Sequence, residues 1–245
     1  VTRTDVASAL GELRRRIAAA AVRAGRDPHE VTLVGVAKRQ PVSAVCAAVR
    51  AGLGHVGESY VQEDLAKRPE LLRALRDAGV APPRWHFVGR LQRNKARHVA
   101  ASFDLVETLD REALGDELDR RAAAAGRRLD VLLQVDVAGE PQKGGAKPED
   151  VPALLDRSRR WSALRVAGLM AIPPATDLPE ESRPAFARLR ALREALRGAP
   201  GAEALRELSM GMSADFEVAI EEGATIVRVG TALFGARQRA EEGDA

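Results

Sequence analysis

The chain has 245 residues, 45% of them hydrophobic, 30% charged and 3% aromatic, the make-up of a globular protein with no apolar run near the roughly 20 residues of a membrane span. Its 38 basic and 35 acidic residues leave a net charge of +3, and only Arg14, Arg15 and Arg16 form a dense basic run, so no nucleic-acid partner is expected. One cysteine, Cys46, excludes an intramolecular disulfide framework and suits a reducing cytoplasm.

Val6, Leu10, Leu13, Ile17 and Ala21 recur at helical spacing and predict a first helix, ended by Gly25 and Pro28. Asp5 and Glu12 lie within it, which favours a helix over a targeting segment. Residues 31–38 (VTLVGVAK) read as a buried strand that ends in a lysine. Pro41 and Ser43 open a helix in which Cys46 sits as a small buried hydrophobe. Further strands are predicted at 55–57, 85–89, 103–107, 130–137, 166–172, 205–210 and 225–229. Helices are expected between them at about 59–78, from about 92, and after an Asp110 cap. Strand and helix patterns alternate eight times, with no linker or composition break. This argues for a parallel sheet, and eight units over about 250 residues argue for a closed TIM-type (β/α)8 barrel with an extra N-terminal helix. Residues 1–240 are read as one domain and 241–245 as a polar tail. An open doubly wound sheet is the alternative, but the Gly-x-Gly-x-x-Gly fingerprint of a dinucleotide fold is missing.

Of five lysines, Lys38 alone stands at the carboxyl end of a buried strand, where such barrels place their chemistry. Its amine, partly desolvated, is suited to forming a Schiff base; a lysine that snorkels to water is the plainer reading. Lys67 and Lys95 fall in polar helical patterns, and Lys143 and Lys147 in a Gly/Pro-rich loop. Ser213, after the seventh strand, and Gly230-Thr231, after the eighth, offer hydroxyls and close backbone approach at helix starts, where anions bind. Ordinary capping explains each of them singly. Arg228 shares strand parity with Gly230, and Val36 with Lys38, so both are expected to face the barrel interior. A buried arginine needs an acceptor, either a carboxylate or a ligand heteroatom. A Schiff-base lysine, a phosphate cup and an interior arginine match the aldehyde, phosphate and ring nitrogen of pyridoxal 5′-phosphate (PLP).

The segments LVGVAKRQP, VGESYVQE, WHFVGRLQRNK, VAGLMAIPP and LSMGMSADFEVAIEEGATIVRVGTALFGAR resemble the pyridoxal-phosphate homeostasis protein family, relatives of the PLP-binding barrel domain of alanine racemase. The resemblance runs from about residue 31 to residue 237. It implies a fold-type III PLP barrel with the cofactor on Lys38 and its phosphate held by Ser213, Gly230 and Thr231, with backbone help near Met212. Arg228 would face the pyridine nitrogen. The sequence departs from the family pattern at Ser59, where an asparagine is usual, and at Ala37 and Arg39, where a serine or threonine is usual. The family also implies a monomer, with a dimer as the alternative.

An arginine against the pyridine nitrogen opposes its protonation and makes the ring a poorer electron sink. Alanine racemase draws a second base, a tyrosine, from an additional β-domain. No such domain is visible here, and the one tyrosine, Tyr60, begins a helix. A PLP carrier in vitamin B6 homeostasis, with other B6 vitamers and PLP-accepting apoenzymes as partners, is therefore expected ahead of a slow racemase. A cofactor-free barrel, either a Schiff-base aldolase or a sugar-phosphate binder, with Arg228 paired internally, is a further alternative. His86 reads as a satisfied core histidine, Lys143 as a solvated loop lysine or a second phosphate contact, and Asn94 as either a cap or a mouth residue. No cluster has metal-ligand spacing, so no metal is expected.

Overall fold

A computed structural model of the protein describes residues 3–235; the tail expected at 241–245 lies outside the described residues. After α1 (Arg3–Arg23) the chain runs β1 (Thr32–Val36), α2 (Val42–Arg50), β2 (His55–Glu58), α3 (Val61–Asp77), β3 (Arg84–Phe87), α4 (Ala96–Ser102) and β4 (Leu105–Leu109). It continues through α5 (Glu112–Ala124), β5 (Leu129–Gln134), α6 (Val151–Ser158), β6 (Leu164–Met170), α7 (Arg183–Ala195), β7 (Glu207–Ser209), α8 (Phe216–Glu221), β8 (Ile226–Val229) and α9 (Thr231–Phe234). All eight strands pair in parallel, in sequence order, and β8 closes on β1 with Val34 opposite Arg228. The structure is the (β/α)8 barrel.

Strand alternation divides the core into two layers. Val34, Leu105, Leu132, Ala167, Met170 and Ile226 fill the barrel, while Val56, Val131, Leu169, Leu208 and Val227 face outward beneath the helices. The last helix, α9, has only four residues, too short to cover its strand. α1 supplies the missing cover. Its apolar stripe, Val6, Leu10, Leu13 and Ile17, is buried, and the helix packs on α2, α8 and α9.

Local expectations fail in two places. Asp110 does not cap α5: the cap position is Arg111, without a side-chain cap bond, and Asp110 pairs with the Arg111 guanidinium. Cys46 is half-buried against the core. No described helix is long and apolar enough to cross a membrane.

Candidate functional site

Lys38 lies two residues beyond the end of β1, in a tight turn whose next residue, Arg39, has φ +58°. Val36 ends the strand on the inward-facing parity of Val34. Gly230, at the cap of α9 with φ −110°, lies directly against it. A Cβ on Gly230 would stand 3.5 Å from the Val36 carbonyl oxygen and 3.7 Å from Val36 Cβ, so the glycine leaves a cradle one methyl deep between β1 and β8. Thr231 opens α9 and is exposed; its amide, in the first turn, has no partner within the helix.

Ser213 reaches this cradle by a route the sequence conceals. Its Oγ accepts the Ala232 amide at 3.2 Å, so it caps α9 across the mouth and not its own following helix. The cap position of α8 is Asp215. Asp215 is buried; one carboxylate oxygen accepts the Met212 amide at 2.6 Å and the other accepts the Ser182 hydroxyl at 2.9 Å. The backbone help expected near Met212 therefore cannot come from Met212 itself. The amides of Gly211, Ser213 and Ala214, which make no backbone bond among the described residues, are the donors left in that loop.

Below the mouth a hydrogen-bonded chain crosses the barrel. Arg228, 5% exposed, donates to Ser209 Oγ at 2.5 Å and to the Ala171 carbonyl at 3.0 Å. Ser209 donates to Glu107 at 2.6 Å, and Arg228 lies 3.7 Å from the same carboxylate oxygen. The other Glu107 oxygen lies 2.6 Å from His86 Nδ1, and His86 Nε2 lies 2.9 Å from His55 Nδ1. A carboxylate only accepts, so His86 Nδ1–H donates to Glu107, and a single proton lies between His86 Nε2 and His55 Nδ1, donated by whichever ring carries it. His86 is thus the satisfied core histidine expected. Burial, with the His86 and Arg84 charges, holds His55 down to about 4. Burial pushes the Glu107 carboxyl up, but His86, Arg228 and Ser209 outweigh it and leave it below the ordinary range. Arg228 is paired internally, as a cofactor-free barrel also requires. A guanidinium has five N–H groups, however, and two are donated in hydrogen bonds among the described residues.

Three acidic and basic residues outside the expected set also gather here. Glu58, fully buried on the outer face of β2, lies 2.6 Å from Lys67 of α3, and Lys67 lies 3.1 Å from Glu63. Burial pushes Glu58 up to about 7 against the pull of the Lys67 charge. The i, i+4 spacing of Glu63 and Lys67 resembles an ordinary solvated helix pair, so the sequence carries no sign of this burial. Over β2 to β4, on the side of the mouth away from Gly230, a cleft of about 640 Å³ is lined by Tyr60, Phe87, Arg90, Leu91, Lys95 and Arg111. Asn94 is exposed in the turn beside it. Lys143 donates to the Pro173 carbonyl at 2.8 Å and pairs with Glu140. No group of three metal-ligating side chains occurs among the described residues.

Residues 9–238 match the family of the alanine racemase N-terminal domain. A pyridoxal phosphate homeostasis protein of Pseudomonas aeruginosa is 45% identical over 234 residues, 96% of this chain and 96% of the relative. One of Aquifex aeolicus is 44% identical over 229 residues, 94% of this chain and 97% of the relative. Among solved structures, PipY of Synechococcus elongatus with PLP bound matches at a TM-score of 0.81 and 37% identity, covering 94% of this chain and 100% of PipY. The chain belongs to the pyridoxal phosphate homeostasis protein family, built on the barrel of the alanine racemase N-terminal domain.

Proposed function

We propose that this protein holds pyridoxal 5′-phosphate as a Schiff base on Lys38 and serves vitamin B6 homeostasis in the cytoplasm. In this reading it acts as a monomer that keeps PLP, and related vitamers, protected and passes it to apoenzymes. The observation that carries the reading is the meeting of the Lys38 turn, the Gly230 cradle and the Ser213 clasp at one end of the barrel, above a buried Arg228 that donates two of its five N–H groups among the described residues. The donor set fits the cofactor. Ser213, Gly230, Thr231 and the Ser213 and Ala214 amides offer hydroxyl and N–H groups to a phosphate, and Val36 lines the wall beside it.

PLP when bound supplies an aldehyde for amines and a ring that withdraws electrons from them. The residues here restrain the second property. Arg228 cannot be deprotonated, and its charge opposes a proton on a ring nitrogen set against it. Tyr60, which a racemase would need as a second base, begins α3 with its ring 5.9 Å beneath the Arg39 guanidinium and is 48% exposed. Those features favour a carrier over the slow racemase.

The test is the visible absorption spectrum of the protein with added PLP, beside Lys38→Ala. A yellow band that borohydride bleaches, and that the variant lacks, is expected. Absence of the band from the native protein, or an equal band in the variant, would overturn the reading. Rapid racemisation of a free amino acid by the loaded protein would replace it with the enzyme alternative.

A further inference from the structure

Lys67 is a lysine that the fold has taken out of water, 9% exposed on α3. Its ammonium carries three N–H groups and meets three oxygens: Glu58 Oε1 at 2.6 Å, the Ala37 carbonyl at 2.8 Å and Glu63 Oε1 at 3.1 Å. Glu63 Oε1 also accepts the Arg39 amide at 2.5 Å. The Ala37 carbonyl belongs to the peptide unit that precedes Lys38, and the Arg39 amide to the unit that follows it. One ion cluster on a neighbouring helix therefore grips both peptide planes that flank the Lys38 Cα.

With both planes held, the φ and ψ of Lys38 are fixed, and with them the direction in which its Cβ leaves the backbone. The turn needs such a hold. Arg39 sits in the left-handed region, at φ +58°, which non-glycine residues adopt only when their surroundings impose it. Lys38 and Arg39 are the central residues of a turn outside any strand or helix, which the Gln40 amide closes by donating to the Ala37 carbonyl at 3.0 Å. An ion pair present only to satisfy Glu58 would require neither of the two backbone contacts.

We propose that Lys67 and Glu63 are positioning residues for Lys38, fixing its flanking peptides so that the amine is aimed into the barrel mouth, with buried Glu58 anchoring the Lys67 charge. The proposal rests on the reading of Lys38 as the residue that bears PLP. It is tested with Lys67→Met, Glu63→Ala and Glu63→Gln, each checked for folding by thermal melt. Two quantities are read: the Kd for PLP, and the pH profile of Lys38 reductive methylation in the PLP-free protein, followed by peptide mass spectrometry.

Lys67→Met and Glu63→Ala are expected to raise the Kd about tenfold or more, as small misplacements of a reacting group do, and to displace the Lys38 methylation profile. Glu63→Gln retains an acceptor for the Arg39 amide and is expected to stay within about twofold of the native protein. Folded Lys67→Met and Glu63→Ala proteins with both quantities within about twofold of native would overturn the proposal. If Lys67→Met fails to fold, the contrast between Glu63→Ala and Glu63→Gln decides, since Glu63 is the more exposed member at 23%. If the native protein takes up no PLP, the carrier reading falls and the methylation profile alone decides the positioning role.

Discussion

Glu107→Gln removes one charge from the barrel interior and keeps the side chain's shape. The native carboxylate is fully buried, lies 2.6 Å from both His86 Nδ1 and Ser209 Oγ, and stands 3.7 Å from Arg228. Arg228 keeps its proton in any protein interior. The variant therefore leaves a buried guanidinium with the Ser209 hydroxyl and the Ala171 carbonyl as its remaining partners. Breaking one side of a buried pair costs about 3–5 kcal/mol. Glutamine still accepts one hydrogen bond, so the lower end, about 3 kcal/mol, is expected. For a domain of this size each kcal/mol lowers Tm by about 2–4 °C, giving a fall of about 6–12 °C. Urea unfolding followed by circular dichroism measures the loss directly. Adding Arg228→Met removes the orphaned charge, and the double variant is expected to be more stable than Glu107→Gln by at least about 1 kcal/mol. A Glu107→Gln protein within about 0.5 kcal/mol of native, or a double variant no more stable than the single one, would refute the pairing.

The pH dependence of stability contains two opposed contributions. His55 is held at about 4 in the fold against an ordinary 6.5, so its contribution is complete above about 6.5 and lost as pH falls toward 4, by about 2 kcal/mol once solvent screening is allowed for. Glu58 is raised to about 7 against an ordinary 4.5, so its contribution is complete below about 4.5 and lost as pH rises through 7, by up to about 3 kcal/mol. Glu58→Gln should thus make Tm climb more steeply between pH 4.5 and 7 than in the native protein, and His55→Gln should make it climb less; matching Tm–pH curves would count against both shifts. Gly230→Ala places a methyl in ordinary contact with Val36 at a permitted φ of −110°, so stability should change by no more than about 1 kcal/mol. The same methyl fills the cradle, and PLP titration should show weaker binding; unchanged affinity would move the phosphate elsewhere. Gly89→Ala would set a Cβ 2.0 Å from the Ser59 carbonyl oxygen, and calorimetry should record a loss of about 1–3 kcal/mol or more from overpacking.

The sequence was most legible where a period could be counted. Alternation within single strands placed Val36, Arg228 and Gly230 on inward parity, and the eightfold strand–helix alternation placed Lys38, Ser213 and Thr231 at one end. What it concealed were partners. Ser213 looked like a local cap because a cap usually serves its own helix, yet its acceptor role is toward Ala232, 19 residues away. Met212 looked available because nothing in the string shows that Asp215 claims its amide. Lys67 looked solvated because Glu63 four residues earlier forms a familiar surface pair, and only the docking of α3 against β2 buries it. Glu107 could be assigned an inward direction by parity, but not the arginine it meets from the far side of the barrel.

The Glu107–Ser209 bond joins residues 102 positions apart and ties β4 to β7. A nascent chain leaves the ribosome from its N-terminus, and domains generally fold in that order. Glu107 and the two histidines belong to β2 to β4, while Ser209 and Arg228 belong to β7 and β8 and are made last. A half-barrel closed before then would bury a carboxylate without its countercharge, an arrangement that costs several kcal/mol. The interior chain is therefore complete only when β8 is in place, and the strand that completes the charge pair also supplies the Gly230 side of the cradle.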